Sequence, residues 1–144
     1  MSLFSALSVG ASGMAAQRAR AEVLVENLAN AETTRTPEGG PYRRKDVVFE
    51  STSVSSPFSS VFDAQMNSSS GVAVSDIITD ISPPEQRYMP GHPDADKDGY
   101  VAFPHINPAE DMVDLMDASR TYEANVAAIS AVKDMIQRSI DLLR

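Results

Sequence analysis

Apolar residues return along this chain at a seven-residue step near both ends, with short β-branched and aromatic runs between them, which divides it into three sections. In the first section Leu7, Met14, Ala21 and Leu28 fall on one heptad position, with Leu24 and Ala31 on the companion position. That a/d pattern predicts a long helix within residues 1–35. The seam is imperfect, because Gly10 and Gln17 occupy companion positions and Gly13 lies inside the helix. Each glycine costs about 1 kcal/mol relative to alanine in a helix interior. With Ala15, Ala16 and Ala19 close by, the same small residues would let another backbone approach.

The last section carries the stronger helical signal. Asn107-Pro108-Ala109-Glu110 supplies a capping residue, a proline at the first helical position and a glutamate three after the cap. Leu115, Tyr122, Ile129, Ile136 and Leu143 keep a strict seven-residue spacing, and Met112, Val126 and Ile140 fill the partner seam, interrupted by Ser119 and Lys133. Asp111, Asp114 and Asp117 suit the positive end of the helix dipole, while Lys133, Arg138 and Arg144 suit the negative end. Such a helix would be roughly 55 Å long at about 1.5 Å per residue. It needs a partner of similar length.

Between the helices, prolines, glycines and serines interrupt the chain. Short runs at Asp46–Glu50, Ser60–Phe62, Val72–Ile81 and Tyr100–Phe103 predict strands or hairpins, and residues 51–60 and 67–71 predict loops. The expected fold is mainly α with a small β-rich insert. Long N- and C-terminal helices (1–35 and 107–144) form a coiled coil, joined by an irregular section of short strands and loops over 36–106.

Composition narrows the function classes. Twenty acidic against 12 basic side chains give a net charge of −8, which argues against a general nucleic-acid binder. The first section is neutral, and the negative charge sits in the other two. The absence of cysteine excludes disulfides and thiolate metal sites. No apolar run approaches the roughly 20 residues that span a bilayer, so no membrane insertion is expected. The N-terminus is apolar and rich in small residues, as a signal peptide is. Its first positive charge, Arg18, follows the apolar stretch instead of preceding it, so no cleaved signal is expected.

Residues 94–105 contain the most suggestive chemistry. Asp94, Asp96 and Asp98 followed by Gly99 begin as an EF-hand calcium loop does. Position 12, which requires a bidentate glutamate, is His105, and prolines at 90, 93 and 104 preclude the flanking helices. The favoured reading is an acidic Asp-Gly turn leading into Tyr100–Phe103. His92 and His105 match no metal-ligand spacing, and neither a nucleophile elbow nor a phosphate loop occurs. No catalytic residue, cofactor or metal is expected. Arg43-Arg44-Lys45, the one basic cluster, reads as a strand end or a salt-bridge partner for a neighbouring acidic subunit. Asn27 and Asn30 share a helix face near its end. They read either as helix termination or as an interhelical polar contact that fixes register.

Two blocks carry a family resemblance. ENLANAETTRTPEGGPYRRKDVVFE, residues 26–50, resembles the N-terminal motif of bacterial flagellar axial (rod and hook) proteins, its GGPYRRKDVVF part the proximal rod members in particular. PGHPDADKDGYVAFPHINPAEDMVDLMDASRTYEANVAAI, residues 90–129, resembles the C-terminal signature of the same proteins. Glu32 departs from a usual asparagine, and His105-Ile106-Asn107 stands where Asn-Val-Asn is common. The resemblance implies a non-enzymatic subunit whose terminal helices pack together and against neighbours in a rod that crosses the periplasm and transmits torque to hook and filament. It also implies export through the flagellar type III apparatus without a cleaved signal. The implied neighbours are further copies, the rod proteins FlgB, FlgF and FlgG, and the adaptor FliE. Motif and seam together nominate Leu7, Met14, Leu24, Asn27, Leu28, Asn30, Tyr42, Tyr100, Met112, Leu115, Ser119, Arg120, Tyr122, Asn125, Val126, Ile129, Ile136, Ile140 and Leu143 as interface residues. The alternatives are another axial subunit or a calcium-binding module on a coiled coil.

Overall fold

A computed structural model of the chain describes residues 3–53 and 70–142. Helix α1 (Leu3–Ala29) and helix α2 (Pro108–Asp141) run for 27 and 34 residues and flank two separate β-hairpins. Alanine-rich, proline-free sequence carries α1 to Ala29, where Asn30 ends it. The Asn30 backbone N–H and its side-chain Nδ2 both donate to the Glu26 carbonyl, at 3.1 and 2.9 Å. Helix α2 starts as its sequence predicts, with Asn107 Oδ1 accepting from the Ala109 N–H at 3.2 Å.

Strands β1 (Lys45–Ser53) and β2 (Ser70–Thr79) pair antiparallel, Lys45 opposite Thr79 and Ser53 opposite Ser70. The register shifts between Val48 and Phe49, and the Ser75 hydroxyl donates to the Val48 carbonyl at 3.2 Å. Strands β3 (Glu85–Tyr88) and β4 (Tyr100–Phe103) form the second hairpin. Two expectations are corrected here. Residues 51–53 and 70–71 are strand rather than loop, because pairing across the ladder supplies the hydrogen bonds that serine turns would otherwise make. Strand β3 was not foreseen: Glu-Gln-Arg-Tyr is exposed throughout and owes its extended form to pairing with β4. The strand expected at Ser60–Phe62 and the rest of the expected loops lie outside the described residues.

Helix α1 lies between α2 and the first hairpin and packs on both. A Cβ at Gly10 would stand 3.0 Å from Ile129 Cγ1, and one at Gly13 would stand 3.0 Å from Asn125 Nδ2. The small residues therefore admit the second helix as predicted. Gly10 faces Ile129, Gly13 faces Asn125, and Arg20 faces Asp114, so the helices are antiparallel. The apolar core is modest: Ala16, Val23, Leu24, Tyr42, Val101, Phe103 and Ala118.

The seam itself differs from the predicted one. Helix α2 buries Asp111 and Ala118 and half-buries Leu115, Asn125, Ile129, Val132 and Ile136. The predicted companions Met112, Val126 and Ile140 are 54, 41 and 56 % exposed. The line Asp111, Ala118, Asn125 and Val132 turns inward instead, with Asn125 against Gly13 of α1 and Asp111 against Arg44. Gly13 leaves room for the Asn125 side chain on this line, and Gly10 leaves room for Ile129 beside it.

Asn27 holds the first hairpin to α1. Its side chain is fully buried, its Nδ2 donates to the Lys45 carbonyl at 2.8 Å, and its Oδ1 accepts from the Lys45 N–H at 2.9 Å. The Tyr42 hydroxyl donates to the same Oδ1 at 3.0 Å. An interhelical contact is thus not what Asn27 makes: all its bonds go to the segment that enters β1. Asn27→Ala would leave the Lys45 main-chain groups and the Tyr42 hydroxyl without partners. We expect a loss of about 3 kcal/mol in urea unfolding of the isolated chain, since each buried unsatisfied group costs about 1–3 kcal/mol. Burial, reinforced by Glu26, pushes the Tyr42 phenol up to about 12. The folded state therefore keeps a proton that the unfolded phenol gives up near its ordinary value of about 10. That contribution is complete below pH 10 and is lost as pH rises from there toward 12. Stability measured across that window should fall less steeply in Tyr42→Phe.

Candidate functional site

The candidate site is the outer side of the helix pair. Helices α1 and α2 leave between them a largely apolar groove of about 300 Å³ lined by Gln17, Arg18, Ala21, Leu115, Ala118, Ser119 and Tyr122. Met112, Ser119 and Val126 follow one another at heptad steps on α2, all exposed, and span about 20 Å at about 1.5 Å per residue. Of the nominated residues, Leu7, Met14, Leu28, Asn30, Leu115, Asn125, Ile129 and Ile136 are half-buried, the last three on the stripe that faces α1. Tyr100, Met112, Ser119, Arg120, Tyr122, Val126 and Ile140 are exposed. Leu24, Asn27 and Tyr42 are buried within the chain and have no surface to offer a neighbour. Leu143 lies outside the described residues.

In the acidic turn between β3 and β4 the carboxylates of Asp94 and Asp96 bond to the chain itself. Asp96 Oδ1 accepts from the backbone N–H groups of Asp98 and Tyr100, at 2.9 and 2.8 Å, and so closes the turn. Gly99 sits at φ +83°, and a side chain there would meet the Tyr88 ring at 2.9 Å. Asp94 turns away from Asp96. Its Oδ2 accepts from the Thr34 hydroxyl at 2.9 Å and its Oδ1 lies 3.6 Å from Arg35, which fastens this turn to the segment after α1. Among the described residues no three His, Asp or Glu side chains are grouped to hold a metal ion.

The basic cluster is also committed within the chain. Lys45 pairs with Glu26, and Arg44 reaches both Asp111 at 3.0 Å and Asp46 at 3.6 Å. Of the three expected partners for a neighbour, only Arg43 is exposed and makes no ion pair among the described residues. The Asp111 side chain is 1 % exposed. Burial raises its carboxyl above the ordinary range, and Arg44 opposes that shift. Burial works to lower the Arg44 guanidinium, but Asp46 and Asp111 outweigh it and the net direction is up. Asp114 and Asp117 point to Arg20 of α1, at 3.3 and 4.0 Å. The three aspartates thus serve as cross-element contacts as well as dipole partners. Arg44 and Asp111 lie 67 positions apart, so no local spacing could reveal the pair. Arg44→Met leaves a buried carboxylate uncompensated and should cost about 3–5 kcal/mol of stability. The double variant Arg44→Met with Asp111→Leu should recover most of that loss in the same denaturation assay.

Comparison with known proteins agrees with this geometry. Residues 7–35 match the family described as Flagella basal body rod protein, and residues 97–142 match Flagellar basal body rod FlgEFG protein C-terminal. The flagellar basal-body rod protein FlgC of Borreliella burgdorferi is 41 % identical over 100 % of this chain and 99 % of its own length. The FlgC proteins of Bacillus subtilis and Salmonella typhimurium are 43 and 37 % identical, each over 99 % of this chain and at least 98 % of their own. With identity at that level from end to end, the chain belongs to the FlgC family of flagellar basal-body rod proteins and is a structural subunit of that rod.

Proposed function

We propose that this subunit stands in the proximal rod and polymerises through its two terminal helices, so that the heptad residues left outside the intrachain contact form coiled-coil contacts between subunits. One observation carries the reading: Met112, Tyr122 and Val126, apolar and at helical spacing, remain exposed beside a groove on a protein whose family assembles into a rod. Burying them on assembly contributes roughly 25 cal/mol per Å² of apolar surface. Contacts of one face with a different face, repeated without closure, give a helical filament. Many helices locked side by side would then carry motor torque toward the hook.

Membership in the rod family implies assembly with other basal-body rod proteins. The specific neighbours we infer are further copies, FlgB, FlgF and FlgG, with FliE as adaptor at the base. We further infer export from the cytoplasm by the flagellar type III apparatus, a rod position in the periplasm, and a structural rather than enzymatic role. All three named relatives are FlgC proteins, which favours this subunit over another axial component.

Met112→Asp and Leu115→Asp place a carboxylate in the proposed contact. Cells relying on either variant should be non-motile and lack rods, while the purified Met112→Asp chain keeps its helical content, because Met112 touches little of its own fold. Normal swimming with both variants would remove the proposal.

A further inference from the structure

Sulfur in this chain is confined to methionine, because there is no cysteine. Among the described methionines Met14 is half-buried on α1, whereas Met89, Met112, Met116 and Met135 are exposed. Met112 and Met116 are 54 and 55 % exposed and stand one turn apart on α2, with exposed Val113 beside them. Residues four apart share a helix face, so the two thioethers open to solvent side by side. The same turns are held to the fold from their other side, where Asp111 is buried against Arg44 and Leu115 is half-buried. A chemical change at the two sulfurs therefore alters the surface of α2 and leaves its internal contacts in place.

We propose that Met112 and Met116 form an oxidation site, at which a peroxide converts the free subunit into a form that does not enter the rod. A sulfur lone pair attacks one oxygen of hydrogen peroxide, and the S–O bond forms as the O–O bond breaks. The departing hydroxide takes the proton left on the transferred oxygen and leaves as water. Sulfur gives up two electrons and the peroxide gains them. Each flexible apolar side chain becomes a polar sulfoxide, a change that methionine sulfoxide reductases reverse. A sulfoxide oxygen shut away from water without a hydrogen-bond partner opposes burial. The site rests on the assembly reading above, in which Met112 is buried between subunits, and adds a chemistry that regulates it.

The purified full chain, treated with hydrogen peroxide, should gain oxygen at Met112 and Met116 about fivefold faster than at Met14, as read by peptide mass spectrometry, with helical content unchanged. Oxidation no faster than at Met14, or loss of helix as the two sulfurs oxidise, would overturn the assignment. In cells, Met112→Gln with Met116→Gln imitates the polar sulfoxides and should lower rod numbers about tenfold. Met112→Leu with Met116→Leu keeps the surface apolar without sulfur, so rods should form as in wild type and survive a peroxide pulse that depletes wild-type rods. Wild-type rod numbers with the glutamine pair, or equal rod loss to peroxide with the leucine pair, would sink the oxidation site. If Met112→Asp and Leu115→Asp still abolish motility, only the oxidation site falls; if both swim normally, the assembly reading falls with it.

Discussion

A single buried amide decides how this chain is arranged. Asn27 pairs both its polar ends with the main chain of Lys45, as a neighbouring strand would, and takes a third bond from Tyr42. A helix has no free backbone groups with which to hold a strand, so a side chain must do it. From that point β1 is aimed along α1, β2 follows β1, and Ser12 of α1 accepts from the Val72 N–H at 3.1 Å near the far end of the ladder. One face of α1 is thereby occupied, and α2 takes the adjacent face, where Gly10 and Gly13 allow it close.

The two helices were legible because their signals are local: a cap with proline at Asn107-Pro108, and heptads that repeat several times. Strands β1, β2 and β4 were legible from β-branched and aromatic runs. Strand β3 was hidden because its partner, not its own sequence, makes it extended. The interior seam was misread for a related reason. Met112 and Val126 are large, apolar and exposed, whereas the inward line of α2 runs through Asp111, Ala118 and Asn125. Such a line carries little hydrophobic signature, and Asn125 comes close because Gly13 stands across from it. The candidate site shows the same division. There Leu115 and Tyr122 keep the heptad spacing, whereas Gln17 interrupts the companion position. Asn27 and Tyr42, expected at a subunit interface, are buried and bond within the chain.

The polar contacts inside the chain and the apolar residues outside it are two halves of one arrangement. Arg20, Arg44 and Lys45 pair with acidic side chains within the subunit, and Arg20 and Arg44 tie α2 to its neighbours by directional contacts that need no large core. The hydrophobic residues not needed for that purpose, Met112 and Val126 among them, stay exposed.

The antiparallel sense of the helix pair has a mechanical consequence. Gly10 faces Ile129 and Arg20 faces Asp114, so force applied along the pair slides one helix past the other and loads the contacts together. Force that peels them apart would break contacts one after another from an end. Both hairpins follow from the opposite end of the pair to Leu3, which gives the subunit a head and a tail. Subunits stacked in one sense would therefore make a directional shaft.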